Sequence, residues 1–149
     1  MRLLSMELEN FRQYYGKQTI DFSAGDNNVT IIFGENGKGK TGIFRALMFA
    51  LYNATHIQQD NPNEKIHLIN LRLLEENLDR YCKASVTVRF EHKEKQYEIT
   101  RTIAGIKRNN SIHERDGEVK LYEIDEVGNY SPESVTDNLA VKSIMNQIL

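Results

Sequence analysis

The 149-residue chain has one cysteine, Cys82, and two prolines. A single thiol excludes an internal disulfide and any multi-cysteine zinc site. So few prolines, with nine glycines, exclude collagen-like and low-complexity classes. No run of about 18 apolar residues is present, so no segment is expected to span a membrane. The start, Met1-Arg2-Leu3-Leu4-Ser5-Met6-Glu7, meets an acid too early for a secretory leader. These absences make the cytoplasm the expected location. Excess positive charge is missing too: 19 Lys/Arg against 21 Asp/Glu leave −2, which excludes a uniformly basic nucleic-acid binder. What is present is 40% hydrophobic and 27% charged residues, enough to build one core.

The charge is unevenly spread. Residues 83–115 hold eight basic and four acidic side chains, and residues 116–149 hold two and seven. Such a split suggests two faces with different partners, beside the plainer reading of solvated strand surfaces. Leu4, Met6 and Leu8 alternate with Ser5, Glu7 and Glu9, and Thr19–Phe22 alternates again, which predicts an antiparallel pair of strands. Ser23–Asn28 reads as a turn. Val29-Thr30-Ile31-Ile32-Phe33 is a continuous β-branched run that predicts a strand buried on both faces. Ile43, Phe44, Leu47, Met48 and Leu51 then fall at helical spacing. Residues 53–64 are polar and expected to be a mobile loop, and residues 65–80 have a partial helical face. Residues 84–90 and 97–103 alternate as a hairpin around His92–Lys95. A further strand is predicted near Val119–Ile124, a turn at Val127–Asn129, and a helix from Ser134 to Leu149.

Between the buried run and the helix lies Gly34-Glu35-Asn36-Gly37-Lys38-Gly39-Lys40-Thr41, which fills every fixed position of G-x-x-x-x-G-K-[ST]. A strand before and a helix after are what this phosphate-binding loop requires. Its glycines let successive N–H groups converge on phosphate oxygens, and the helix N-terminus adds partial positive charge. Lys40 reaches the β- and γ-phosphates of a nucleotide and is the candidate catalytic residue, while the Thr41 hydroxyl is a ligand for Mg²⁺. Gly34, Asn36, Gly37, Lys38, Gly39 and Gly42 complete the candidate ATP cradle. Hydrolysis also needs an acid at the end of a second apolar strand. Val119–Asp125 is too polar for that role and Thr19-Ile20-Asp21 too short. No Ser-Gly-Gly tripeptide is present either. The chain therefore reads as half of a catalytic machine.

Asn10-Phe11-Arg12 with Tyr14, a short strand ending in Asp21-Phe22, and the stretch Ile31–Thr41 together resemble the start of SMC-like ATPases. That group includes the SbcC-type double-strand-break repair ATPases and the RecF and RecN proteins. The Tyr97-x-Ile99-x-Arg101 strand matches a recurring pattern in such heads. Phe33–Thr41 and the helix after it look most like DndD-type ATPases of DNA phosphorothioation. The resemblance is strong over residues 1–52 and loose over 84–103. It implies an α/β P-loop NTPase, the N-terminal lobe of an ABC-type head, with a mixed or antiparallel sheet and a P-loop strand–helix unit. Residues 1–149 would be one nucleotide-binding lobe that stops before the Q-loop and coiled coil.

The resemblance further implies ATP and Mg²⁺ as cofactors, Arg12 reaching the phosphates from the first loop, and Gln13 as a weaker nucleotide contact. Implied partners are a C-terminal ATPase lobe of the same protein, a second copy joined through ATP, double-stranded DNA held by its backbone, and a nuclease or other DNA-processing subunit. A bacterial protein of this kind would be nucleoid-associated. Hydrolysis would need the C-terminal lobe, so this chain alone would be inactive and would expose apolar surface where partner strands belong. Two alternatives stand beside it: a self-sufficient P-loop kinase or GTPase, and a non-hydrolysing ATP-dependent assembly module.

Smaller signals carry plainer readings. Arg101 lies on an apolar strand face and is expected in a structural ion pair. Lys83, Arg89, Lys93, Lys95, Lys107 and Arg108 are candidates for a DNA-backbone contact. His56, His67, His92 and His113 lack metal-ligand spacing, and Cys82 is expected at a helix end or strand start with no chemistry.

Overall fold

The computed structural model describes residues 1–23, 25–26, 28–132 and 134–148. Five strands form one sheet: β1 (Arg2–Glu9), β2 (Lys17–Asp21), β3 (Tyr81–His92), β4 (Lys95–Arg108) and β5 (Ser111–Ile124), in the order β2-β1-β3-β4-β5. Every neighbouring pair is antiparallel, so of the two sheet types expected the antiparallel one is found. Alternation explains the layering. Met6 and Leu8, Ala84, Val86, Val88 and Phe90, Ile99, Ile103, Val119 and Leu121 turn to one face and are buried, while Glu7, Thr87, Thr100 and Lys120 turn to the other.

Helices α1 (Lys40–Tyr52) and α3 (Asn138–Ile148) cover the apolar face. Ala46, Phe49 and Ala50 of α1 are fully buried, and the Phe49 ring lies 5.6 Å from that of Phe11. α1 ends on Asn53, whose left-handed φ of 58° lets its N–H close on Phe49 O at 2.9 Å. Asp137 opens α3 by accepting from Ala140 N at 2.7 Å, and Val141 and Met145 bury its inner stripe. The predicted helix thus begins four residues later than Ser134, and Leu149 lies outside the described residues. So do Ala24 and Asn27 of the predicted 23–28 turn.

Strands β3 and β4 pair over twelve positions, Tyr81↔Ile106 to His92↔Lys95, closed by Lys93 and Glu94 with φ of 48° and 65°. Two successive positive φ values are the conformation whose twist suits a two-residue hairpin. Strand β5 starts at Ser111, well before the predicted Val119, and Val135 caps its outer edge through two bonds to Leu121.

Two expectations fail. Residues 65–80 hold only the six-residue helix α2 (Leu71–Glu76). The preceding stretch is used otherwise: Ile69 bridges Phe11, and the Asn70 side chain caps α2 by accepting from Leu73 N at 3.1 Å. The second failure is Val29–Phe33, which forms no strand and is not buried. Val29 is 67% exposed, Ile31 70% and Phe33 89%. Its composition suits a strand between two layers, and the described residues supply neither layer. Apolar surface is exposed here, where the sequence places the P-loop strand.

Candidate nucleotide site

The Gly34–Thr41 loop runs from the exposed Val29–Phe33 segment into the first turn of α1. Gly39 is the N-cap, with φ 103°, a conformation that side chains with a Cβ resist. Its carbonyl oxygen receives four donors: Gly42 N at 2.8 Å, Ile43 N at 3.3 Å, the Tyr14 hydroxyl at 3.0 Å and Gln13 Nε2 at 3.1 Å. The loop after β1 is thereby fastened to the P-loop. Burial pushes the Tyr14 hydroxyl's pKa up, with a hydrogen bond involving Gln13 opposing, so it stays a donor at neutral pH. Gln13 lies flat over Gly42, where a Cβ would come within 2.1 Å of Nε2.

A cleft of about 380 Å³ opens over this turn. It brings together eight of the ten residues singled out from sequence: Arg12, Gln13, Asn36, Gly37, Gly39, Lys40, Thr41 and Gly42. Gly34 and Lys38 do not line it. Lys40 Nζ folds back onto the loop, donating to the carbonyls of Gly34 and of Glu35, the latter at 2.8 Å. An arriving phosphate would take this ammonium from two neutral carbonyls, a favourable exchange for a charged donor.

Arg12 stands at the cleft wall with φ 50°, and its Nη1 donates to His67 O at 3.0 Å. Burial first, and the charge of Arg45 second, pull its guanidinium pKa below the ordinary value, with Asp60, Glu64 and Glu114 pushing the other way. A cation so placed gains from an anionic ligand. The Thr41 hydroxyl suits Mg²⁺, a hard cation that takes few protein oxygens and fills its shell with water and phosphate. Among the described residues no cluster of three or more His, Cys, Asp or Glu could hold a metal ion.

Sequence reasoning missed Arg45. It lies on the buried face of α1 and lines the phosphate cleft. Its Nη1 and Nη2 donate to Asp60 Oδ2 and Oδ1 at 2.6 and 2.5 Å, and Nη1 also reaches Thr55 O at 2.8 Å. That fork, helped by the Ile57 N–H, holds the Asp60 carboxyl well below the usual carboxylate range. The signal was a lone charge among the apolar positions of an amphipathic helix. Its partner lies in the 53–64 segment, expected to be mobile and here tied to α1. Glu114 was missed as well: its carboxylate accepts from Leu68 N at 2.9 Å and Ile69 N at 2.8 Å.

Other expectations are corrected. Arg101 is buried, and no ion pair holds it among the described residues. Its Nε donates to Ala50 O, in the last turn of α1, at 3.2 Å, and its Nη1 to Asn138 Oδ1 at 2.6 Å. Burial lowers its pKa, and the charge of Asp116 opposes that shift. The basic stretch is broken up by acids: Arg89 pairs with Glu98 at 2.5 Å, Lys95 with Glu123 at 2.9 Å and Lys107 with Glu75 at 2.9 Å. Cys82 stands at the start of β3, as expected; it is buried, and burial raises its thiol pKa. No described helix is long and apolar enough to cross a membrane.

Residues 5–149 match the family model described as an AAA domain. The chain belongs to this AAA-domain family. Over 112 residues it is 33% identical to the SbcC component of the SbcCD nuclease from Staphylococcus aureus strains JH9 and Newman, a stretch covering 74% of this chain and 10% of the relative. The chain thus spans about a tenth of the length of these curated relatives. A solved structure from work on the ATP-driven dimerization and DNA-stimulated activation of SMC ATPases aligns with 98% of this chain and 78% of its own. Its TM-score is 0.51 at 20% identity, which speaks to fold alone. The AAA-domain match and the fold shared with that structure place the chain among α/β proteins with the architecture of P-loop NTPases.

Proposed function

We propose that this lobe binds ATP with Mg²⁺ and hydrolyses it only after a second lobe supplies the missing acid. One observation carries the reading: the Gly34–Thr41 loop, Lys40, Thr41 and Arg12 share one cleft, while no acid cluster accompanies them among the described residues. In this reading Lys40 neutralises the β- and γ-phosphates, Thr41 ligates Mg²⁺, and Asn36 lies beside the γ-phosphate. Arg12 and Gln13 close the cleft from the first loop, and the exposed Val29–Phe33 segment is where the C-terminal lobe adds its strands. By its likeness to SbcC the whole protein acts on DNA in the cytoplasm or nucleoid, in break repair or sulfur modification. It does so as an ATP-joined homodimer with a nuclease or other DNA-processing subunit.

Titration with the Mg²⁺ complex of a non-hydrolysable ATP analogue tests the first step. Binding by the wild-type chain that Lys40→Ala abolishes is the expected result. Steady phosphate release from this chain alone would favour a self-sufficient kinase or GTPase instead. Binding without turnover in any mixture with a C-terminal lobe would favour an assembly module.

A further inference from the structure

Residues 53–70 run from the end of α1 back past the phosphate cleft as a strap with two anchors. The first is the Arg45–Asp60 fork. Both carboxylate oxygens are engaged by Arg45, and Oδ2 also accepts from Ile57 N at 2.7 Å. The two side chains are 4% and 9% exposed, so water does little to loosen the pair. The second is the Glu114 carboxylate on the amides of Leu68 and Ile69. Between the anchors, Glu64, Lys65 and His67 line a second cleft of about 390 Å³, which shares Arg12 and Gln13 with the phosphate cleft. The link from strap to phosphate site is the Arg12–His67 O bond, with the Arg12 N–H closing on Leu68 O at 2.7 Å.

We propose that the Arg45–Asp60 pair is a latch that positions the strap, and through it Arg12, for the nucleotide's phosphates. Arg45 is a positioning residue and not a phosphate ligand, because its fork is already spent on Asp60 and Thr55. The geometry predicts an energetic chain of three links: Arg45 fixes Asp60, Asp60 fixes the course of residues 61–67, and the His67 carbonyl fixes the Arg12 guanidinium. Asp60 serves a second purpose. It offsets the charge of Arg45, which otherwise disfavours Arg12 in its buried position. Ligand and strap are then linked reciprocally: nucleotide that engages Arg12 tightens the strap by the same factor that the latched strap tightens nucleotide.

The inference rests on the ATP reading, and the 149-residue chain tests both with separable outcomes. Titration with the Mg²⁺–ATP analogue should show Asp60→Asn and Arg45→Gln each weakening affinity roughly five- to thirtyfold. The double variant should be no weaker than either single one, since both break one interaction. Asp60→Glu should recover most of the affinity. In an Arg12→Ala background, Asp60→Asn should cost nothing more. Weakening by Arg45→Gln with no change in Asp60→Asn would make Arg45 a direct ligand and overturn the latch. So would a full Asp60→Asn effect that persists without Arg12. If the wild-type chain binds no nucleotide, the ATP reading fails. The latch is then judged by amide exchange: residues 61–67 must exchange faster in Asp60→Asn and return to the wild-type rate in Asp60→Glu. Unchanged exchange refutes it.

Discussion

Replacing Gly39 and Gly42 with alanine separates two jobs that adjacent glycines do in one turn. At Gly39 the added Cβ meets a φ of 103° and lies 2.8 Å from Gln13 Nε2 and 2.9 Å from the Tyr14 hydroxyl. The left-handed conformation costs about 1–2 kcal/mol. Displacing the half-buried Tyr14 hydroxyl from the Gly39 carbonyl costs about 1 kcal/mol more, with a smaller share for exposed Gln13. The sum is about 2–4 kcal/mol, which lowers the melting temperature of a chain this size by roughly 5–15 °C. At Gly42 the backbone is helical. Its Cβ would sit 2.1 Å from Gln13 Nε2, the far end of a flexible exposed side chain that swings away. Loss of one exposed hydrogen bond, about 0.5–1 kcal/mol, is offset by about 0.5–1 kcal/mol of helix propensity. Gly42→Ala should therefore melt within about 2 °C of wild type, yet bind the ATP analogue only as well as Gln13→Ala does. Thermal unfolding followed by circular dichroism, paired with titration, reads both. Equal destabilisation by the two alanines would refute the reasoning, because it would mean that Gln13 cannot leave.

Two further outcomes are expected. Asp60 has a folded pKa below its ordinary value of 3.8, so its ion pair contributes fully above about pH 4 and is lost as pH falls from there through the depressed native value. In Asp60→Asn the acid limb of the stability curve should flatten below pH 4, and an unchanged limb in urea titrations would contradict the pairing. Ile31→Ser with Phe33→Ser removes largely exposed apolar surface, so stability should change by no more than about 0.5 kcal/mol. Self-association in sedimentation velocity should fall, and a marked drop in melting temperature would show that the segment is held by contacts of its own.

Elements with a clean period and a solvated opposite face were legible. The α1 stripe, the β1–β2 pair and the β3–β4 hairpin all followed from alternation or helical spacing. The first half of β5 was not, because Ser111 to Glu118 is a largely exposed edge with no apolar side to write into the sequence. Residues 65–70 misled for the opposite reason. Ile66, Ile69 and Leu73 are apolar at helical intervals, but long-range partners, Phe11 and Glu114, bond the backbone of residues 68–69 instead. At the site, the loop motif was readable because phosphate chemistry fixes its spacing, whereas Arg12 came only from the resemblance to SMC-like ATPases. Asp60 and Glu114 were not, since a carboxylate that steadies backbone from a distant loop or strand leaves no local pattern. Val29–Phe33 is the case where composition and surroundings disagree. Its side chains state a preference for burial that the described residues do not fulfil.

From Tyr81 to Ile124 the chain runs back and forth without a detour, each strand lying beside the one that precedes it. That half needs only short loops closed before its contacts form, so it is suited to fold early and to stay shut. The phosphate-binding turn belongs to the other half, which must be threaded onto β3 by β1 from the far end of the sequence. Slack is thus concentrated at the front of the molecule. A ligand that grips there tightens what folds last while the rear of the sheet holds its shape.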